Sequence, residues 1–139
     1  MDISTPELLA LVAVVGLVAL IALTNWLLRR KPKHLNQAYY QDRWQTLQKL
    51  LKDKSTWPLA IIDADKLLDD ALKKSRYKGK TMGERLVSAQ RAISDNDAVW
   101  FGHKLRNRLV HESEVKLTEK VVKEALLGIR GALKDLGAL

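Results

Sequence analysis

"LLALVAVVGLVALIALTNWLL", Leu8 to Leu28, is 21 residues without a charged side chain, and the basic residues Arg29, Arg30, Lys31 and Lys33 follow it at once. At ~1.5 Å of rise per residue, a helix of this length spans roughly 30 Å, the thickness of a bilayer's hydrocarbon core. A core helix of a small protein would alternate apolar with polar residues, whereas this segment is apolar all round. A signal peptide would open on a basic region, but the charges before the run are Asp2 and Glu7, and no small-x-small cleavage site precedes the basic cluster. The stretch is therefore expected to cross a membrane once, with Pro6 at the helix start and Trp26 at the interface.

All 24 lysines and arginines lie at or after Arg29. The positive-inside rule then sends residues 1–7 across the membrane to the extracytoplasmic side, makes 8–28 the transmembrane helix and 29–39 a basic juxtamembrane segment, and keeps 40–139 in the cytoplasm at the inner membrane. The absence of cysteine agrees with a reducing compartment. With 139 residues, three prolines and 47% apolar residues, the chain suffices for one compact core. Two of the 16 acids precede Arg29, so the remainder has 24 basic and 14 acidic side chains, a net charge of +10. Anionic lipid and nucleic acid are the polyanions such a tethered domain would meet. The juxtamembrane cluster is accounted for by topology and lipid.

Beyond Pro32 the pattern is helical throughout. His34 to about Asp53 places Leu35, Tyr39, Leu47, Leu50 and Leu51 near the helical period. Ser55 is the expected N-cap of a second helix with Pro58 in its first turn, and "LAIIDADKLLDDALKK" should turn Leu59, Ile62, Leu67, Leu68 and Leu72 inward. Thr81 and Glu84 form a T-x-x-E capping box for a helix from Met82 to Ile93, burying Leu86, Val87 and Ala89 or Ile93. "SDND" caps a fourth helix from Ala98 to about Glu112. Thr118 caps the last, with Val121, Val122, Leu126, Ile129 and Leu133 as its apolar stripe. The expected fold is all-α: one transmembrane helix, then an antiparallel bundle of four to five helices with short turns.

Several chemistries are excluded. No cysteine is available as a nucleophile or zinc ligand, and no H-x-x-x-H or H-E-x-x-H pair is present. "YKGKTMGE" lacks the preceding strand and the G-x-x-x-x-G-K order of a phosphate loop. Neither a metal nor another cofactor is expected. Asp63, Asp65, Asp69 and Asp70 are the densest acidic group, but Lys66, Lys73 and Lys74 lie at pairing distance, and a solvated charged face is the expectation.

In "HKLRNRLVHES", His103 to Ser113, Phe101, Leu105 and Leu109 fall on one side of a helix. His103, Asn107 and His111 follow one another at i, i+4 and i+8 along a neighbouring stripe. Arg106 lies between that stripe and Val110, and its long stem can swing the guanidinium toward Asn107 or His111. A titratable imidazole, an amide and a fixed cation are the minimum set for work on a phosphodiester. Arg106-Asn107-x-x-x-His111, late in a small helical domain, resembles the R-x4-6-H motif of HEPN domains, where a polar residue often follows the arginine. "WPLAIIDADKLLDDALKK" stands where the family has a helix with an acidic position, so the similarity covers about Tyr40 to Leu136. Arg29 and His34 also satisfy R-x4-H, but on a membrane flank.

The resemblance implies a homodimer whose paired motifs form one metal-independent endoribonuclease site, with Arg106, Asn107 and His111 as catalytic residues. RNA would be the substrate, stress or defence the setting, and a neutralising protein a further partner. Two copies of His111 would share the two proton transfers that one imidazole cannot make in a single step, the paired Arg106 side chains would hold the phosphate, and His103 is a secondary candidate. Alternatively, Arg106 pairs with an aspartate of the second helix, Arg108 with Glu112, and Lys104 extends the exposed row. The bundle is then an inactive dimerisation or recruitment module. A third reading is a basic lipid-binding envelope protein. The primary structure leaves these open.

Overall fold

The computed structural model describes residues 5–28 and 34–139, with side chains for residues 5–25 and 34–139. They fall into two compact units, residues 1–32 and 33–139. The first holds α1, Thr5–Leu28, with Pro6 as its second residue. Thr5–Asn25 is long and apolar enough to cross a membrane, and its leucines, valines and isoleucine from Leu8 to Leu23 are exposed. The one hydroxyl in the run's later half, that of Thr24, donates to the Ile21 carbonyl at 2.9 Å, so it makes no demand on solvent. The basic cluster from Arg29 to Lys33 and the Trp26 side chain lie outside the described residues.

The second unit consists of α2 (Gln37–Lys49), α3 (Trp57–Lys74), α4 (Met82–Ala89), α5 (Asn96–His111) and α6 (Glu119–Asp135), the upper end of the four to five helices expected. No strand occurs among the described residues. Side-chain oxygens of Asn36, Thr81, Asp95 and Thr118 each accept a backbone N–H in the first turn of the helix they precede. Thr81, the "SDND" segment and Thr118 are thus the caps the sequence indicates.

Ser55 is not one. Two single 3-10 turns, Leu50–Lys52 and Lys54–Thr56, replace the last turn expected of α2, and Thr56 stands at the start of α3. The Thr56 hydroxyl donates to the Leu50 and Asp53 carbonyls, while the Asp53 carboxylate takes the Ser55 N–H, holding that carboxyl below the usual range. The α4 helix likewise stops four residues short of Ile93. The Asn96 side-chain amide donates to the Gln90 and Ile93 carbonyls, and the chain there closes three-residue turns instead of helical ones.

The α3 helix is the hub, in contact with α2, α4, α5 and α6. Its inner surface is set by Ala60, Ile61, Ala64, Leu67, Leu68, Ala71 and Leu72, so Leu59, expected inside, faces solvent and Ile62 is half-buried. Val87 is also exposed, because Met82, Arg85, Leu86 and Ala89 occupy the buried stripe of α4. The α5–α6 contact is the most intimate. Gly102 lies against Ala125, and Gly128 against Ala98. Stepping back along α5 therefore steps forward along α6, and the two helices run antiparallel. A Cβ on Gly128 would collide with the Ala98 carbonyl oxygen, so only glycine lets the backbones approach this closely.

Candidate functional site

One buried polar network links α3 to α5. Asp65 and His103, 3% and 7% exposed, meet with Oδ1 and Nδ1 2.9 Å apart. His103 Nε2 is 3.3 Å from the Asn107 side-chain nitrogen, and Arg106 Nη1 donates to Asn107 Oδ1 at 3.0 Å. These contacts fix the protons. Because a guanidinium only donates, the amide atom facing Arg106 must be the oxygen, which turns the Asn107 N–H toward His103. Nε2 of His103 is then the acceptor, and its Nδ1–H donates to the Asp65 carboxylate. The second oxygen of Asp65 is 3.5 Å from Arg106 Nε. That distance gives a charge pair without a well-formed hydrogen bond, and Nε is buried with no hydrogen-bond acceptor.

Trp100 meets the His103 ring edge to face, with centroids 5.7 Å apart, and Gly83 of α4 lies next to both rings. Each nitrogen of His103, the secondary candidate, is thus engaged, and its ring is buried. Asp65 departs from the expected solvated face. Asp69 faces inward too, where Arg85 donates to it at 2.7 Å and also reaches the Gly79 carbonyl. Asp70 accepts a hydrogen bond from the Tyr40 hydroxyl at 2.7 Å. Two expected lysine pairs also form, Lys73 on the second oxygen of Asp69 and Lys74 on the same Asp70 oxygen that accepts from Tyr40, but the partners from other helices are Arg85 and Tyr40.

The motif residues divide. Arg106 and Asn107 are half-buried and joined to each other, whereas His111, the last residue of α5, is exposed and has no hydrogen bond or ion pair among the described residues. Five residues on a helix amount to ~140° of rotation, so Arg106 and His111 point to different sides while Asn107 and His111 share one. The Arg106 stem accordingly turns to Asn107 and Asp65 rather than to His111. Within one protomer, the geometry makes no completed Arg–His pair. It makes a guanidinium locked in place, with Nη2 unengaged, and a free imidazole one turn beyond.

Around them the surface pairing is as expected: Arg108 Nε reaches both Glu112 oxygens at 3.1 and 3.2 Å, and Lys104 is exposed. No group of three metal-ligating side chains occurs among the described residues. The member of the network that the primary structure did not single out is Asp65. Its one signal was an aspartate between Ala64 and Leu67 on the apolar side of α3. Compared with protein families, curated proteins and solved structures, the chain matches none of them.

Proposed function

We propose that the chain is a membrane-anchored, HEPN-like, dimeric endoribonuclease that needs no metal, with Arg106, Asn107 and His111 as its working residues. The supporting observation is the division of labour along α5: a buried Asp65–His103 pair orients Asn107 and Arg106, and the next turn presents an unpartnered imidazole to solvent. Ordering an arginine costs side-chain entropy, and here the protein has already met that cost before any phosphate arrives.

In the proposed reaction His111 removes the proton of the 2′-hydroxyl, and the 2′-oxygen attacks phosphorus. The P–O5′ bond breaks as the partner subunit's His111, carrying a proton, delivers it to the leaving 5′-oxygen. The Arg106 guanidinium meets the charge that builds on the phosphorane. Asn107, whose oxygen and one N–H are both committed, clamps Arg106 rather than binding substrate. Because Arg106 and His111 diverge within one protomer, the two-fold pairing of α5 ends is what brings all the groups to one phosphate. Stress or defence against foreign nucleic acid is the proposed setting.

The test is RNA incubated in EDTA with the full-length chain in detergent. Fragments should end in 2′,3′-cyclic phosphate, and His111→Ala should yield none. Equal inertness of both proteins sinks the proposal. One observation favours a second reading, a non-catalytic interaction module: the Arg106 charge is already met by Asp65 of the same chain. On that reading both proteins leave RNA intact while self-association persists.

A further inference from the structure

A cavity of about 460 Å³ lies between α2, the two 3-10 turns and α6, away from the α5 motif. Its volume is within the ~300–1,000 Å³ typical of small-molecule sites. Trp44, Leu47, Trp57 and Leu126 supply apolar walls. Lys52, Lys54 and Lys123 are exposed at its mouth, Arg130 is half-exposed there, and Glu119 is the one acid lining it. None of these four cations is in an ion pair among the described residues, and Lys54 stands 5.8 Å over the Trp57 ring.

Trp57 donates its N–H to the Leu51 carbonyl at 3.1 Å, but the Trp44 N–H is buried without any acceptor. An apolar recess with unpaired positive charge at its mouth lacks two things at once: an apolar body and an anionic end.

We infer that this cavity binds a single-chain anionic amphiphile, an acyl chain ending in a carboxylate or a phosphate. The chain packs among Trp44, Leu47, Trp57 and Leu126, and the headgroup stays at the mouth beside Lys123 and Arg130, where charge-assisted hydrogen bonds are strongest. The site is independent of any reaction at Arg106 and His111.

The experiment uses the full chain in phosphatidylcholine nanodiscs with Trp26→Phe, which removes the indole of the apolar run. Indole fluorescence is titrated with 11-bromoundecanoate, with a bromo-acyl lysophosphatidate, and with the neutral 11-bromoundecanol. Saturable quenching by an anionic amphiphile is expected, with the alcohol about tenfold weaker. Lys123→Glu with Arg130→Glu should weaken the anions about tenfold without changing helicity. Quenching by the carboxylate assigns the ligand to free fatty acids, and quenching by the lysophosphatidate alone assigns it to lysolipids. A cavity-filling Val122→Phe protein that retains its helicity should show neither. The inference is overturned by unsaturable quenching, by equal quenching from acid and alcohol, or by indifference to the charge reversals.

Discussion

Three aspartates within six residues of α3 reach three different helices. Asp65 goes to His103 of α5, Asp69 to Arg85 of α4, and Asp70 to Tyr40 of α2. Asp65→Asn leaves His103 Nδ1–H facing an amide and Arg106 without its buried counter-charge, so urea unfolding should show a loss of about 2–4 kcal/mol. A change below a few tenths would mean the network is not formed. Tyr40 supplies a pH signature. Burial first, and then the hydrogen bond to Asp70, push its hydroxyl above the ordinary value of 10.0, and Asp70 also raises Lys74. Folding thus favours the protonated forms. Their contribution is complete below pH ~10 and is lost as pH rises through the unfolded toward the folded values. Between pH 9 and 11 the urea midpoint should fall, and Tyr40→Phe should flatten that fall; an unchanged slope in the variant refutes the assignment. None of these tertiary partners was legible in the sequence. At i, i+4 the lysines are equally good partners, and the competing ones lie 16 to 38 residues away.

Helix positions were largely legible because caps are local chemistry. A Thr, an Asp and a second Thr take the first-turn N–H groups of α4, α5 and α6 as their spacing dictates. Where the reading failed, the deciding bonds came from outside the segment. Asn96 takes carbonyls that would have continued α4, and Thr56 builds the turn before α3. Leu59 falls outside the buried face of α3 because Ala60, Ala64 and Ala71, uninformative by hydrophobicity, help set that face. Two glycines of α6 give a test of helix contact. Gly128→Ala forces a methyl into the Ala98 carbonyl and should destabilise by about 1–3 kcal/mol. Gly131→Ala meets nothing within 4 Å and should be neutral or stabilise by up to ~1 kcal/mol. Equal effects in thermal melts would contradict the α5–α6 packing.

At the scale of the molecule, an apolar helix precedes a basic helical unit, and topology becomes a question for labelling. The chain has no cysteine, so single introduced cysteines are unique reporters. Ser4→Cys should react with an impermeant maleimide on intact cells and Ser113→Cys only after the inner membrane is opened; the reverse pattern contradicts the proposed orientation. The all-helical class and the apolar N-terminal helix could be read from periodicity and composition alone. Pairing of Arg106 with an aspartate of the second helix was one expected alternative, but which aspartate takes it depends on how a distant segment packs. The division of the α5 motif between a locked arginine and a free histidine is why the proposed site needs two chains. On the proposed reading, anchoring both in one membrane would raise their effective concentration. The decisive measurement is therefore RNA cleavage by protein refolded from mixtures of wild-type and His111→Ala chains. If each site uses both copies of His111, an equal mixture should retain about a quarter of the wild-type rate, because only wild-type pairs are active. A rate of about half would mean that each chain works alone, and no cleavage by the wild type would contradict the ribonuclease proposal itself.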